Sequence, residues 1–558
     1  METSPVTQSP DLDQLVFRNA IRFQKYDFQI VCVAGNRLRI KARADLAATA
    51  YGRTAFGQTA FGRDGYFMLA DIYQPQIHKL TVNGRPVAYR HWNDIYAFRL
   101  PPGLPRRKLS LEVDYEITSK FSSRLVYAEL SGAWYPKNLF PERVMAQFVL
   151  DVPTGMVGIA NGELAVVQSL GKQSRYWWLT ERPQTNLAVT IGRYQSYVRL
   201  VQRRTYRIFA PPSLEADSRR LSLWASLIGE YYQEHFGGTA YHGLTLVIND
   251  TQLEDTSFGA LIFLHPDQKQ PLNRKFFKLA HEIAHFWWGS LVVPKTPQDW
   301  WLAEGFANYS AYLICELGST APVDRTDAAG SPGRKATRMI PDIQSQTILA
   351  EWQQQYQQFL LSLRDYQIPE MALAEIGPYD FQRELLYNKG AYVLHMARSL
   401  LGDADFFRLL RLFVAEYQMK QAGVRDFTRM GSALFGARLA DYFRQWVYSA
   451  GAYDLAVQNI TFTPQASLTS EQGTGKYQVR FKIVAKGQLY LPDMVDLEIC
   501  TATQIYHEVL YFKGVNVTIQ KTCDGPPCKI TVNGRGRVLE ADLSDNGWAY
   551  TVKNRGSG

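Results

Sequence analysis

The segment from Lys275 to Gly289, K-F-F-K-L-A-H-E-I-A-H-F-W-W-G, restricts what this chain can fold into more than any other. On a helix, residues four apart lie on one face, so the imidazoles of His281 and His285 can reach a single ion. Glu282 projects beside them, where a carboxylate can take a proton from a water molecule. The apolar flanks predict that the helix is buried, and burying an unpartnered glutamate between two histidines is costly. We therefore predict one Zn²⁺ at this helix, in preference to two core histidines.

The composition bounds the class of protein. The chain has 558 residues, 46% of them hydrophobic, which predicts several globular domains. The formal net charge of +9 is modest for this length, and we interpret it as scattered solvated charge with no nucleic-acid partner. There are five cysteines, too few for a disulfide framework. Cys523 and Cys528 are either two thiols flanking a turn or a local disulfide in an oxidising compartment.

No apolar run is long enough for a transmembrane helix, and the N-terminal M-E-T-S-P-V-T-Q-S-P lacks the apolar core of a signal peptide. The sequence does not determine the compartment, and the absence of a signal peptide favours the cytoplasm. If the chain was trimmed from a longer precursor, an exported or membrane-tethered protein remains the alternative. Protein partners cannot be read from the sequence.

The pattern along the chain predicts a multidomain α+β protein in three parts: an N-terminal β-sheet domain at 1–198, a zinc catalytic domain at 199–452 and a C-terminal β-sandwich domain at 453–558. The first part alternates like antiparallel strands, with Asn83-Gly84 as a hairpin turn. Glycine-rich loops are predicted at Gly52–Gly65 and Gly318–Lys335. The middle part has helical spacing over five further segments: Leu214–Phe236, Thr347–Leu363, Leu385–Leu401, Ala404–Tyr417 and Leu439–Ser449.

The metal helix has candidate boundaries at Asn273, a plausible N-cap, and Gly289, a plausible C-terminal glycine. The next helix is predicted to start at Thr296-Pro297 and to end near Leu317. Eighteen residues separate His285 from Glu304, which lies in W-W-L-A-E-G-F-A-N-Y on that second helix. Catalytic zinc sites commonly combine two histidines with one carboxylate, so Glu304 is the candidate third ligand.

Together, H-E-I-A-H-F-W-W-G and W-L-A-E-G-F-A-N-Y resemble the aminopeptidase N family of gluzincin zinc metallopeptidases. Y-N-K-G-A at Tyr387 is similar to that family's Y-x-K-G-A helix, and the N-terminal G-A-W-Y-P and I-G-R-Y are similar to its β domain. The resemblance covers nearly the whole chain, without the large C-terminal helical domain of longer members. It implies a thermolysin-like mixed α/β catalytic domain. It also implies residue roles: zinc binding by His281, His285 and Glu304, Glu282 as general base, and Tyr387 as hydroxyl donor to the oxyanion.

Asp299 has two readings of equal weight: it hydrogen-bonds a zinc-binding histidine, or it caps the start of its own helix.

The sequence departs from the family where exopeptidase members carry G-x-M-E-N, whose glutamate holds the substrate's free α-amine. The matching stretch is E-D-T-S-F-G-A-L-I-F, which puts Ile262 or Ser257 at the glutamate position, depending on the alignment. Glu254 and Asp255 lie just upstream and are possible substitutes. We predict that an edge strand through Gly259–Phe263 binds a peptide backbone by β-addition. The substrate-binding candidates are Ser257, Phe258, Gly259, Ala260 and Leu261.

The functional prediction is a zinc-dependent peptide-bond hydrolase of aminopeptidase type acting on peptides or proteins, with strict N-terminal specificity in doubt. A noncatalytic peptide-binding or assembly module that retains zinc is the alternative from another class. Glu282 and Tyr387 speak against it, because a structural zinc needs neither residue.

Overall fold

The computed structural model describes residues 21–33, 36–48, 64–104, 109–119, 126–138, 142–238, 242–248, 255–265, 270–320, 341, 344–469, 475–486, 494–511 and 516–549. Most of each predicted glycine-rich loop, at 52–63 and 321–335, lies outside these residues. The chain forms two compact units, one of residues 1–227 with 239–270 and the other of residues 228–238 with 271–558. The three-domain boundaries at 198 and 452 stay a prediction, whereas the multidomain α+β class is confirmed.

The first unit is built mainly from β-strands, as its alternating sequence predicts. In β8, L-S-L-E-V-D-Y-E-I-T, every second side chain is buried, because successive residues of a strand point to opposite faces. Asn83 and Gly84 both have positive φ and join β4 to β5, which confirms the predicted hairpin turn. The first fourteen strands, in chain order, are β1 Ile21–Cys32, β2 Arg37–Ala48, β3 Asp64–Met68, β4 Gln76–Val82, β5 Arg85–Pro86, β6 Tyr89–Trp92, β7 Ile95–Arg99, β8 Leu109–Thr118, β9 Val126–Leu130, β10 Met145–Pro153, β11 Val157–Ala160, β12 Glu163–Ser169, β13 Gln173–Leu179 and β14 Val189–Gly192.

An eight-stranded sheet, in the order β12-β13-β10-β1-β2-β8-β4-β5, forms the main layer of this unit. Its pairs are antiparallel apart from β1 with β10, which run parallel, so the predicted all-antiparallel pattern has one exception. Three-stranded sheets β11-β14-β9 and β3-β7-β6 accompany it. The buried core includes aromatic stacks such as Tyr26 on Phe28 and Phe28 on Phe148.

A second sheet of this unit has the strand order β15-β16-β17-β19-β18. Its strands are β15 Gln195–Val201, β16 Arg204–Ala210, β17 Gly243–Ile248, β18 Thr256–Phe258 and β19 Leu261–Leu264. The predicted edge strand through Gly259–Phe263 is wrong, because β19 pairs with β17 on one side and with β18 on the other. Both rows of backbone hydrogen-bonding groups on β19 are thus in use, and the short β18 forms the edge.

Eight helices are described, and they carry most of the second unit: α1 Glu215–Phe236, α2 Leu272–Ala284, α3 Trp301–Thr320, α4 Ser345–Asp365, α5 Glu384–Leu401, α6 Asp403–Tyr417, α7 Val424–Phe435 and α8 Ala437–Trp446. The division between the two units falls inside α1. The five further predicted helices are all present, within a few residues of the predicted ends. Helix α7 was not predicted.

The predicted N-cap at Asn273 is wrong. Helix α2 begins at Leu272 with Pro271 in the N-cap position, and the Asn273 side chain accepts only the backbone N–H of Arg274. Proline is well suited to the start of a helix because its φ is already set and it has no N–H to satisfy.

The C-terminal part of the second unit returns to strands, in a three-stranded sheet β22-β23-β26 and a four-stranded sheet β25-β24-β27-β28. The strands are β20 Val292–Pro294, β21 Lys420–Ala422, β22 Leu455–Thr469, β23 Gly475–Ala485, β24 Met494–Thr501, β25 Ile505–Tyr511, β26 Asn516–Asp524, β27 Pro527–Val532 and β28 Gly547–Ala549. All five cysteines carry free thiols, so Cys523 and Cys528 are not bridged. Within the described residues, the structure has no helix of the length and apolarity that crossing a membrane requires.

Candidate metal centre

Helix α2 presents the H-E-x-x-H motif at its C-terminal end. His281 and Glu282 lie in its last turn, and His285 is the C-cap residue, still in right-handed helical conformation at φ −60° and ψ −16°. The helix is held from the side, because the Tyr232 hydroxyl donates to the carbonyl oxygen of Ala280 at 3.1 Å. Glu282 is 7% exposed and the two histidines are partly buried, in line with the predicted burial of this helix.

The chain then reverses and brings α3 back beside α2. Gly289 has φ +114°, a conformation that suits glycine, although it follows the helix end by several residues and is not the adjoining C-terminal glycine that we predicted. The predicted cap at Thr296 is confirmed: its backbone N–H and hydroxyl donate to Asp299, in a capping box that precedes α3. The other carboxylate oxygen of Asp299 accepts the backbone N–H of Val424, at the start of α7. The structure thus gives Asp299 the helix-start role, and neither metal-site histidine contacts it.

Three predicted ligand atoms converge at one point. The Nε2 atoms of His281 and His285 are 3.0 Å apart, and Glu304 Oε2 is 3.5 Å from the first and 3.3 Å from the second. In the part of the chain that the structure describes, these residues form the one group of three or more His, Cys, Asp or Glu side chains close enough to share a metal ion. Two imidazoles and a carboxylate are the ligand set of many catalytic zinc sites.

Hydrogen bonds on the far side of each imidazole determine which nitrogen has a free lone pair. The Nδ1 atom of His281 lies 2.8 Å from Asn308 Oδ1, and that of His285 lies 3.0 Å from the carbonyl oxygen of Trp288. Both partners are acceptors, so both Nδ1 atoms must carry a hydrogen. The two Nε2 atoms therefore face each other and Glu304, an arrangement that a bound metal cation or a proton between them makes favourable. The residues present fit a zinc ion on this observation.

The ionisable groups of the site shift one another's pKa values. Burial acts to lower the pKa of His285, but Glu304 and then Glu282 outweigh it and raise this pKa to about 9. Burial acts to raise the pKa of Glu304, but the two imidazoles hold it well below its usual range. A bound Zn²⁺ would compete with a proton for these imidazoles, because only a deprotonated ring nitrogen binds a metal.

Helix α5 brings Tyr387 to the same place. The Tyr387 ring lies parallel to that of His281, with centroids 6.1 Å apart. Burial, followed by the charge of Glu304, raises the pKa of the Tyr387 hydroxyl above its ordinary value. The hydroxyl therefore stays protonated and able to donate near the predicted metal position.

Two glycines allow α5 to lie this close to α3. A Cβ atom on Gly390 would be 2.4 Å from Trp301 Cδ1, and one on Gly305 would be 2.5 Å from the same atom. The fully buried Trp301 ring thus occupies the space that any other residue at these two positions would need. Gly305 of E-G-F-A and Gly390 of Y-N-K-G-A are thus both explained by the lack of space beside Trp301.

A buried ion pair fixes α5 two residues beyond Tyr387. Lys389 is completely buried and donates to Glu370 at 2.5 Å and to the carbonyl oxygen of Gly451 at 2.9 Å. Glu370 also accepts the Tyr356 hydroxyl and the backbone N–H of Gly451. Burial lowers the pKa of Lys389 and Glu370 opposes that effect. Every charged atom has a partner, which is the condition under which a buried pair is tolerated.

The predicted substrate-binding residues belong to the first unit. Ser257 and Phe258 lie in β18, Gly259 and Ala260 form the turn, and Leu261 opens β19. Gly259 has φ +68°, and a Cβ atom there would meet the side chain of Gln184. Of the two possible glutamate positions, Ile262 is completely buried and Ser257 is its cross-strand partner. Asp255 accepts the backbone N–H of His265, and Glu254 lies outside the described residues.

Sequence reasoning missed Asn308 and Trp300. Asn308 bonds His281, and the Trp300 indole N–H donates to Glu304 Oε1 at 3.1 Å. Asn308 follows Glu304 by one helical turn, and Trp300 precedes it by one, so the i±4 spacing on a ligand-bearing helix was the available signal.

Comparison with known proteins finds a peptidase family that matches this part of the chain. Residues 262–446 match the model of the peptidase family M1 domain. The chain is 23% identical over 242 residues to "Probable aminopeptidase 2" of Sulfurisphaera tokodaii, covering 41% of this chain and 28% of that protein. It is 27% identical over 181 residues to "Aminopeptidase N" of Lactococcus lactis, covering 31% and 18%. The chain thus spans less than a third of the length of these relatives.

Two solved structures share the fold. A crystal structure of the M1 zinc metallopeptidase from Deinococcus radiodurans has a TM-score of 0.55 and 17% identity, covering 77% of this chain and 94% of its own. Aminopeptidase A of Legionella pneumophila has a TM-score of 0.65 and 13% identity, covering 94% of this chain and 59% of its own.

Proposed function

We propose that this chain, whose residues 262–446 match the peptidase family M1 domain, hydrolyses peptide bonds with a zinc ion held by His281, His285 and Glu304. One observation carries the proposal. The two Nε2 lone pairs and Glu304 Oε2 converge on one point, with Glu282 beside them and Tyr387 over His281.

Each neighbouring residue has a distinct task. A zinc ion in this position would lower the pKa of a water molecule and polarise the scissile carbonyl. Glu282 would take the proton from that water and give it to the departing amine. Tyr387, kept protonated by burial and by Glu304, would donate to the developing oxyanion. The negative charge of Glu282 interacts electrostatically with both His285 and Tyr387 and contributes to the raised pKa of each.

The preference for a free N-terminus is a separate matter. Neither position that matches the family's amine-binding glutamate has a charge: one is the core residue Ile262 and the other is Ser257. We therefore propose that cleavage does not depend on an ionised α-amine, so that N-acetylated peptides are hydrolysed as well as free ones. The assignment of Ser257 to Leu261 to substrate binding stays a prediction.

Glu282→Gln is the test of the mechanism. The amide keeps the shape of the side chain but cannot accept the proton, so we expect bound zinc to be retained and peptide turnover to be lost. Zinc content by atomic emission and kcat on a peptide library measure the two quantities. Loss of zinc in this variant, or undiminished turnover, would contradict the assigned role.

Tyr387→Phe gives an independent measure of the oxyanion donor. We expect kcat to fall by about 10²–10³ with KM little changed, because the lost hydrogen bond acts in the transition state. Comparing aminoacyl amides with N-acetylated peptides in the wild-type enzyme tests the second part of the proposal. Turnover of free N-termini alone would overturn it, and zinc without any peptide turnover would favour a binding module.

A further inference from the structure

The β15–β16 hairpin of the first unit concentrates positive charge. From Arg193 to Arg207 the sequence has five arginines and no aspartate or glutamate, although the whole chain has 61 Lys and Arg against 52 Asp and Glu. Arg207 is bonded to Glu163 of β12, whereas Arg199 and Arg203 are exposed at the end of the hairpin. The charge of this segment is therefore more concentrated than the scattered charge that the composition predicted.

The same hairpin exposes aliphatic side chains. Leu200 is 71% exposed and Val198 is 62% exposed. They are two residues apart in β15, so they point to the same face, and β15 is the outer strand of its sheet. Arg199 lies between them and points to the other face of the strand, and Arg203 lies in the turn, so the tip of the hairpin carries both aliphatic and cationic side chains.

The turn at the tip is strained. Val201 pairs with Arg204, and the two residues between them, Gln202 and Arg203, have φ +45° and +68°. A two-residue turn of this type favours Asn-Gly, because other side chains adopt positive φ at a cost. The β4–β5 hairpin of the same unit uses Asn83-Gly84. Glycine would relieve the strain at position 203, whereas arginine places a positive charge at the tip.

We propose that the tip of this hairpin, residues 198–204, docks on the surface of an anionic lipid bilayer. Arginine guanidinium groups pair with lipid phosphates, while Leu200 and Val198 enter the boundary between headgroups and acyl chains. A single-stranded nucleic acid would be expected to meet aromatic side chains on which bases stack, and the exposed apolar groups here are aliphatic. The combination of exposed arginines with exposed aliphatic side chains thus favours an anionic lipid surface over a nucleic acid.

Flotation of the full chain with lipid vesicles tests the proposal. We expect binding to phosphatidylcholine vesicles that contain phosphatidylglycerol, no binding to pure phosphatidylcholine, and weaker binding as salt rises. Arg199→Gln with Arg203→Gln should weaken binding about 25-fold, since each basic residue near the surface contributes about fivefold. Val198→Ser with Leu200→Ser should also weaken it.

Two further variants separate docking from folding. Arg203→Gly should keep or raise the melting temperature, because glycine adopts positive φ freely, yet it should bind anionic vesicles about fivefold less tightly. Leu361→Ser, at an exposed leucine of α4 that is 59% exposed, is the matched control and should bind like the wild type. The proposal is overturned by an absence of vesicle binding or by equal binding to both lipids. Vesicle binding that the hairpin variants leave unchanged also overturns it. So does binding to duplex DNA that is as strong as binding to anionic vesicles and is unaffected by Val198→Ser with Leu200→Ser.

Discussion

A series of three hydrogen-bonded amide side chains determines which ring nitrogen of the predicted zinc ligand His281 carries the hydrogen. Asn308 accepts the Nδ1 hydrogen of His281, its own NH₂ donates to Asn388 Oδ1, and the NH₂ of Asn388 donates to Gln355 Oε1. An amide accepts at oxygen and donates from nitrogen, so this chain of three amides has one direction. It therefore favours the tautomer of His281 that leaves Nε2 free for a metal.

Asn308→Ala should lower the affinity for zinc about 10–100-fold, the effect typical of losing the hydrogen bond that orients a metal-bound histidine. Asn308→Asp should retain zinc, because a carboxylate still accepts the Nδ1 hydrogen. Competition with a fluorescent chelator measures the affinity without relying on turnover. Asn273→Ala, at an exposed asparagine near the start of α2, serves as the control. Equal affinities in the alanine variant and the wild type would contradict the role of Asn308.

At the scale of elements, the site depends on how closely α3 and α5 approach. Helix α3 carries Glu304 and α5 carries Tyr387, and Trp301 packs against Gly305 and Gly390 between them. The Lys389–Glu370 pair then holds the next turn of α5 against the loop at Gly451. The spacing of the two helices that carry Glu304 and Tyr387 is thus set by two glycines and one indole ring.

Gly390→Ala should destabilise the protein by about 1–3 kcal/mol and lower kcat, because the new methyl group would collide with Trp301 and displace the helix that carries Tyr387. Thermal unfolding and steady-state kinetics measure the two effects. Trp301→Phe in the same chain should restore part of both, since the smaller ring leaves room for the methyl group. Gly475→Ala, where a Cβ atom meets nothing within 4 Å, is the control. A Gly390→Ala variant as stable and active as the wild type would show that the close approach is not required.

At the scale of the whole molecule, a buried carboxyl group links the C-terminal strands to the helices of the second unit. Glu540 is completely buried and accepts N–H groups from Leu455, Asn533 and Asn546. Its backbone N–H donates to Gln353 of α4. Burial raises the pKa of Glu540 to about 8, against the lowering effect of its three donors.

This raised pKa predicts a pH-dependent stability. The folded protein holds the Glu540 proton more tightly than the unfolded chain, so the stabilisation is fully present below the ordinary pKa of 4.5 and is lost as the pH rises through about 8. The free energy of unfolding should fall over this range, with a slope of at most about 1.4 kcal/mol per pH unit. Urea unfolding across the range measures it. Glu540→Gln should remove this part of the slope, and an unchanged slope in that variant would contradict the assignment.

Much of the fold was predictable because it depends on short-range periodicity. Alternation along β8 and helical spacing along α5 are properties of consecutive residues, and α5 lies close to its predicted bounds. Helix α7 was not predicted, although it lies between the predicted helices at Ala404–Tyr417 and Leu439–Ser449. The β19 strand was wrongly placed at an edge, because strand order depends on which distant segment pairs with it.

The sequence by itself determined the fold class and the candidate metal-binding set. Helical geometry ties His281, Glu282 and His285 to one face, and the family resemblance of the surrounding motifs singled out Glu304 and Tyr387. Only the tertiary structure decided that Asn308 rather than Asp299 bonds His281, that β19 is an inner strand, and that an arginine-rich hairpin leaves Leu200 in water. The physical reason is range: spacing along one helix is set by backbone geometry, whereas a contact between elements is set by how the whole chain packs.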